Sequence, residues 1–303
     1  APNFTILVIG RILSSAAASL IIVKVLALTA MLTIPKNRGK MIGVVYTGFS
    51  GANVFGVPIG TMIGDAIGWR FTFLFIIIVS VIAGVLMMVY LPSTSELNQV
   101  QRQWGSTSNK QLNTSKILRP VEVVKYLAIT FLILVANSVT FVYINPLILN
   151  HGHQMGFVSL ALLVNGIAGV IGTSLGGILA DKLSSKRWLI IAFSIFIVMM
   201  LMMNLILHTV TLLLIGLFIW NIVQWSTNPA IQSGMIEHVE GDTSQVMSWN
   251  MSSLNAGIGF GGIIGGLVVS NISVQAVTIV SAMVGAMGLI IVISLKNMSY
   301  IKN

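Results

Sequence analysis

Nine stretches of this sequence run long and almost uncharged: residues 3–33, 40–64, 71–91, 124–149, 155–180, 187–207, 210–233, 245–270 and 275–295. A helix needs about 20 apolar residues to cross the hydrocarbon of a bilayer. Inside that layer only helices and closed barrels satisfy every backbone N–H and C=O. The chain is therefore read as all-α, a polytopic membrane protein. Composition leaves no soluble alternative, because only 23 of 303 residues are charged, where a soluble domain carries about a quarter. The first run is long enough to tilt or to emerge from the hydrocarbon. No basic segment precedes it, as one would in a signal peptide. Cysteine is absent, which excludes disulfides and thiolate metal sites.

The net charge of +9 is patterned by loop. Thirteen of the sixteen Lys and Arg alternate onto one side: Lys36, Arg38 and Lys40; Arg102, Lys110, Lys116, Arg119 and Lys125; Lys182, Lys186 and Arg187; Lys296 and Lys302. The opposite side has Arg70, and Arg11 and Lys24 lie within the first run. The positive-inside rule then puts the C-terminus in the cytoplasm and, with nine crossings, residue 1 outside the cell membrane. The loop with Glu237, Glu240 and Asp242 carries no Lys or Arg and is silent. The charge is thus a topology signal, and nucleic acid is excluded as a partner. The expected partners are the lipid bilayer and a small-molecule substrate, with the chain as a monomer. An outside start without Met is read as a chain that has lost its start, and an odd number of preceding helices is expected.

Residues 92–120 form the long polar stretch, with little to bury. They are read as a cytoplasmic, partly disordered linker. It divides a partial N-terminal bundle of three helices, 1–91, from a six-helix bundle, 121–303. The second run carries Gly48, Ala52, Gly56, Gly60 and Gly64 at steps of four, and the eighth carries Gly257, Gly261 and Gly265. Small residues at that spacing let a second helix backbone approach closely. If the two runs correspond, they lie six helices apart, as in a duplicated carrier. Three helices would then precede residue 1, so that nine of twelve are present.

Gly56-Val57-Pro58-Ile59-Gly60-Thr61 followed by Gly68-Trp69-Arg70 is similar to the antiporter motif of the fifth helix of the major facilitator superfamily. Pro58 stands one place later than in the common pattern, and Thr61 replaces its last glycine. Gly177-Ile178-Leu179-Ala180-Asp181-Lys182 with Lys186-Arg187 resembles the superfamily's loop motif, with Ser184 where glycine is usual. Arg11, in GRILSSAAAS, stands where antiporters carry an arginine followed by Gln-Gly; here Ser14 and Ser15 replace those two. Tyr143-Ile144-Asn145-Pro146 and Asn255-Ala256-Gly257 extend the match. The chain resembles the drug:proton antiporter branch, most closely the sugar and purine-nucleoside efflux permeases, from the fourth helix to the twelfth.

Charge inside a membrane is costly and usually faces a cavity or a partner, which makes Arg11 a candidate. Lys24, thirteen residues on, points about 140° away around the helix and is read as snorkelling. All seven carboxylates, Asp65, Glu96, Glu122, Asp181, Glu237, Glu240 and Asp242, fall at helix ends or in loops. A proton carrier is therefore expected in the preceding helices, since arginine cannot release its proton. The cavity set is Arg11, Asn53, Tyr143, Asn145, Trp220, Asn221, Gln224 and Asn228, with Asn137, Asn165, Trp225, Asn250 and Asn255 as further polar groups. Uncharged amides and stacking faces suit a neutral planar or hydroxylated ligand. Pro58, Pro146 and Pro229 each free a carbonyl four residues earlier and permit bending. Gly177, Asp181, Lys182, Lys186 and Arg187 are expected to form a cytoplasmic latch. His151 and His153 are read as solvated rather than metal-binding.

The resulting expectation is a secondary transporter and not an enzyme: proton-coupled efflux by alternating access, with no cofactor and no metal. The alternatives are a proton symporter importing its solute, and a non-transporting remnant or interaction subunit. The glycines Gly48, Gly56, Gly60 and Gly64, with Pro58, are assigned to helix packing. Gly56→Leu and Gly60→Leu are each expected to abolish transport without loss of membrane insertion, and normal transport by both would refute the packing role.

Overall fold

The computed structural model of the chain describes residues 3–32, 48, 51–90, 116–152, 154–240 and 243–296. Eight described helices are long and apolar enough to cross a membrane, with a shorter apolar one at Val54–Ile67. The second run from the sequence lies largely outside the described residues up to position 50, as does most of the linker 92–120. Two compact units are drawn from residues 1–52 with 74–111 and from 53–73 with 112–303.

The first unit contains α1, Phe4–Leu32, and most of α3, Trp69–Tyr90. The hydrophobic side chains Ile12, Leu13, Ile77 and Val81 are exposed. Surfaces of that kind suit lipid rather than water.

The second unit holds α2, Val57–Ile67; α4, Pro120–Phe141; α5, Ile144–Leu149; α6, Met155–Leu183; α7, Ser185–Ile206; α8, Val210–Ile236; α9, Ser244–Asn271; and α10, Ala276–Ser294. Side-by-side packing runs α6–α8–α7–α10–α4–α9, α8 also touches α4, and α2 lies on α6. A two-stranded ladder joins β1, Lys116–Ile117, to β2, Val239–Glu240.

Prolines shape three of these elements. A π-helical turn, Ala52–Gly56, ends two residues before Pro58. Proline offers no N–H to the carbonyl of Val54 and its ring crowds that oxygen, and the widened turn accommodates both effects. The run read from the sequence as one helix over 124–149 is two, because α4 ends at Phe141 and α5 starts at Ile144. The break falls four residues before Pro146, where the lost hydrogen bond would have been. The helix also begins earlier than expected, at Pro120, whose fixed φ suits a first helical position. Pro229 is tolerated inside α8.

Closest approach between helices occurs where α9 crosses α4. A Cβ added to Gly257, Gly261 or Gly265 would stand 2.6, 2.7 and 2.8 Å from the carbonyl oxygens of Phe131, Val135 and Val139 respectively. Both rows step by four, so one ridge lies directly on the other. On α6, Gly172 and Gly176 abut the backbone of Ile222 and Ser226 in α8, and Gly169 lies under the Trp225 ring. Gly60 and Gly64 face Thr72 at the start of α3, whose hydroxyl donates to the Gly60 carbonyl at 3.0 Å. A Cβ at Gly48 or Gly56 meets no described atom within 4 Å.

Overpacking a tight contact costs about 1–3 kcal/mol. Gly261→Leu should therefore lower the melting temperature of the detergent-solubilised protein clearly more than Gly56→Leu does. Equal shifts would show that the α4–α9 contact is not the tighter one.

Candidate functional site

The polar segment of α8 lies inside the second unit. Trp220 is fully buried; its Nε1 donates to Asn137 Oδ1 on α4 at 3.1 Å, and Phe141 meets its ring edge-on at 6.4 Å. Asn221 is buried and its Nδ2 donates to the Leu217 carbonyl at 2.7 Å, while Gln224 is buried beside it in sequence. Ser226 and Thr227 turn their hydroxyls back onto the carbonyls of Val223 and Gln224. Such back-bonding is how hydroxyls are accommodated inside apolar helices. Consecutive buried residues show that this level of α8 is covered on several sides. Trp225 is half-buried, as is Asn228, whose Oδ1 is buried with no partner among the described residues.

The other members of the expected cavity set fall elsewhere. Arg11, exposed, belongs to the first unit, and the Asn53 side chain lies outside the described residues. Tyr143 sits at the α4–α5 break, its ring against Gly265 and Gly266 and its hydroxyl donating to the Gly262 carbonyl at 3.3 Å. Asn145 is half-buried in α5. The structure thus joins Trp220 to Asn137 and assigns Tyr143 a packing contact.

Several polar pairs escaped the sequence reading. Thr130 donates to Asn250 Oδ1 at 2.7 Å, Thr140 and Ser281 share a hydrogen bond of 2.6 Å, and Asn204 donates to Thr278 at 3.0 Å. They tie α4 to α9 and α10, and α7 to α10. Thr and Ser are common in membrane helices, so nothing in their spacing marked them. His208, also passed over, lies edge-on to His151 at 5.1 Å; His153 is outside the described residues.

The latch residues lie around the α6–α7 turn. Gly177 is half-buried, and Asp181, Lys182 and Arg187 are exposed. Asp181 makes no ion pair with Lys182, Lys186 or Arg187 among the described residues. Lys186 instead donates to the Leu295 carbonyl at 2.5 Å. Lys125 donates to the Ser294 carbonyl at 2.8 Å and pairs with Glu122 at 3.0 Å, and the second Glu122 oxygen accepts the Lys296 N–H at 3.0 Å. Two ammonium groups on the last carbonyls of α10 complement the negative end of its dipole. Glu122, read from the sequence as a helix-end carboxylate, is 4% exposed.

Turn geometry explains the small residues here. Ser184 has φ 76° and ψ 148°, and Gly68, between α2 and α3, has φ 103° and ψ 149°. Beyond it the Arg70 guanidinium stacks over the Trp69 ring, 4.5 Å from its centroid. That backbone region belongs almost exclusively to glycine.

A family model of the Major Facilitator Superfamily matches residues 1–243. The chain belongs to this superfamily. It is 30% identical to the MFS-type transporter YbcL of Bacillus subtilis (strain 168) over 294 residues, 96% of this chain and 72% of YbcL. A second MFS-type transporter of that organism, YtbD, is 30% identical over 78% of the chain and 59% of its own length. The "Probable sugar efflux transporter" of Helicobacter pylori (strain J99 / ATCC 700824) is 27% identical over 95% of the chain and 71% of its own length. The superfamily member described here is a multi-pass membrane transporter and not an enzyme.

Its loop motif departs from glycine at Ser184, which costs a side chain about 1–3 kcal/mol. Ser184→Gly should raise the melting temperature of the solubilised transporter by several degrees; a decrease would show that the serine is not strained.

Proposed function

We propose that this transporter exports a small neutral solute of sugar or nucleoside character in exchange for protons, by alternating access of two helix bundles. One observation carries the substrate class. Three buried amide atoms have no partner among the described residues, Asn204 Oδ1 on α7 and, on α8 and α9, Asn228 Oδ1, an acceptor, and Asn250 Nδ2, a donor; the last two concern the solute here. An unpaired buried polar atom costs about 1–3 kcal/mol. A hydroxyl both donates and accepts, so a hydroxylated solute suits both positions. A charged solute would find no counter-ion on α8 or α9, whose sequences contain no Asp, Glu, Lys or Arg.

Efflux as the direction is supported by the Helicobacter pylori relatives, which are named sugar efflux transporters. Proton coupling is supported by the motif resemblance to the antiporter branch, and the cytoplasmic C-terminus by the loop distribution of Lys and Arg. In this reading Trp220 and Asn137 hold α8 to α4 while Asn228 and Asn250 address the solute. The Asp181 latch would act in a conformation where the carboxylate gains its partner.

Everted vesicles containing the full-length protein test the proposal. Neutral hydroxylated solutes should drive proton release from acid-loaded vesicles, and cationic drugs should not. Asn250→Ala should slow release about fivefold, as expected for one hydrogen bond of about 1 kcal/mol. Release with cations alone would overturn the substrate class, and solute-driven proton movement in the opposite sense would identify a symporter.

A further inference from the structure

The start of α4 and the end of α10 form a groove that takes no part in the solute site. It is open to the surroundings and has a volume of about 460 Å³. Its walls are apolar: Val121, Val124 and Ala128 on α4 and Ile291 on α10. Positions 121, 124 and 128 step by three and four, so they share one face of the helix. The neighbouring side chains Leu118, Ile290 and Ile293 are exposed hydrocarbon. Lys125 and Ser294 are the polar residues of the lining.

Apolar walls alone do not choose between lipids. Lipid tails are as apolar as leucine, so an acyl chain gains little by leaving the bilayer for the groove. Any selectivity comes from the charges at this end. Glu122 is buried, with one oxygen accepting from Lys125 Nζ at 3.0 Å and the other from the Lys296 N–H at 3.0 Å. The Lys125 ammonium gives a second N–H to the Ser294 carbonyl at 2.8 Å. An ammonium has three donors, so one N–H of this half-buried group has no partner among the described residues.

The remaining charges add up to an excess of cations. Arg119 precedes the groove-lining Pro120, and Lys296 follows Ser294 by two residues. Both are exposed, and neither side chain is ion-paired among the described residues. Lys186 reaches the adjacent Leu295 carbonyl. With Glu122 and Lys125 cancelling, Arg119, Lys186 and Lys296 leave this end positive. The carboxylates Glu237 and Glu240 belong to the C-terminal end of α8 and to β2, and neither lines the groove; Glu240 stands opposite Lys116 in the ladder.

We propose that the groove binds an anionic phospholipid, with one acyl chain against Val121, Val124, Ala128 and Ile291 and the phosphate among Arg119, Lys125 and Lys296. Basic pockets between membrane helices recognise such headgroups, and each cation near the surface contributes about fivefold in affinity. The lipid bridges the first turns of α4 and the last turn of α10, the two ends that Lys125 already ties together. The site does not depend on the solute or on the direction of transport. Only its assignment to the cytoplasmic leaflet shares the topology reading.

The test is a competition on the full-length protein in neutral detergent. Dioleoyl phosphatidylglycerol and dioleoyl phosphatidylcholine are supplied in equal amounts, and bound lipid is counted by native mass spectrometry. Phosphatidylglycerol should be preferred about tenfold or more, as expected for two uncompensated cations. Arg119→Gln with Lys296→Gln keeps the backbone bonds of this end and should bring the preference to within about twofold. Lys182→Gln with Arg187→Gln removes the same charge from the α6–α7 turn and should leave the preference in place. Val124→Trp fills the groove from an exposed position without changing charge, and should displace most of the bound phosphatidylglycerol. No preference in the parent, equal loss in both charge variants, or full retention in Val124→Trp would each overturn the site. Displacement of the lipid by inorganic phosphate would reduce it to a free-anion site. A preference that appears only after removal of residues 297–303 would identify that segment as the occupant, and either result overturns the proposal. Solute transport has no bearing on this readout, so its failure is distinguishable from failure of the efflux reading.

Discussion

The structure depends on the approach of α9 to α4. Lipid gives helices little hydrophobic reason to associate, so close backbone contact and interhelical hydrogen bonds carry the work. Gly257, Gly261 and Gly265 supply the first by leaving room for the carbonyls of Phe131, Val135 and Val139. Thr130 with Asn250 and Thr140 with Ser281 supply the second. α4 is also bound to α8 through Asn137 and Trp220, and to the end of α10 through Glu122 and Lys125. A helix engaged on so many sides is a fixed post, and its partners are positioned by reference to it.

Polarity within the second unit is sorted by kind. Uncharged amides and hydroxyls lie along α8 and its neighbours, where each must bond to a helix, another side chain or a solute. Ionic groups collect at one end, where Lys125 and Lys186 reach the carbonyls that close α10. The arrangement follows from cost, since an unpaired charge in hydrocarbon is far more expensive than an unpaired amide.

Much of this was legible in the linear sequence. Apolar length and the scarcity of charge announced membrane helices, and the four-residue step of Gly257, Gly261 and Gly265 announced a close approach. The antiporter motif around Pro58 and the loop motif around Asp181 pointed to the superfamily. The break before Pro146 was less apparent, because an apolar run does not show whether its backbone bonds continue. Glu122 read as a helix-end carboxylate, and its burial depends on Lys125 and on Lys296, 174 residues away. The interior placement of Trp220 was equally hidden, since a tryptophan on a polar segment serves a cavity wall or a helix contact with the same spacing.

The sequence by itself determined which segments are long and apolar enough to cross a membrane, because transfer into hydrocarbon depends on local composition and length. It also determined that Ser184 would occupy a turn where glycine is usual, although the dihedral angle that makes glycine suitable appears only in the folded backbone. Tertiary structure decided which carbonyl row meets the glycines, which amides remain unpaired, and that Lys186 caps α10 rather than pairing with Asp181. Those outcomes depend on distances between residues far apart in the chain, and such distances are set by packing rather than by local composition.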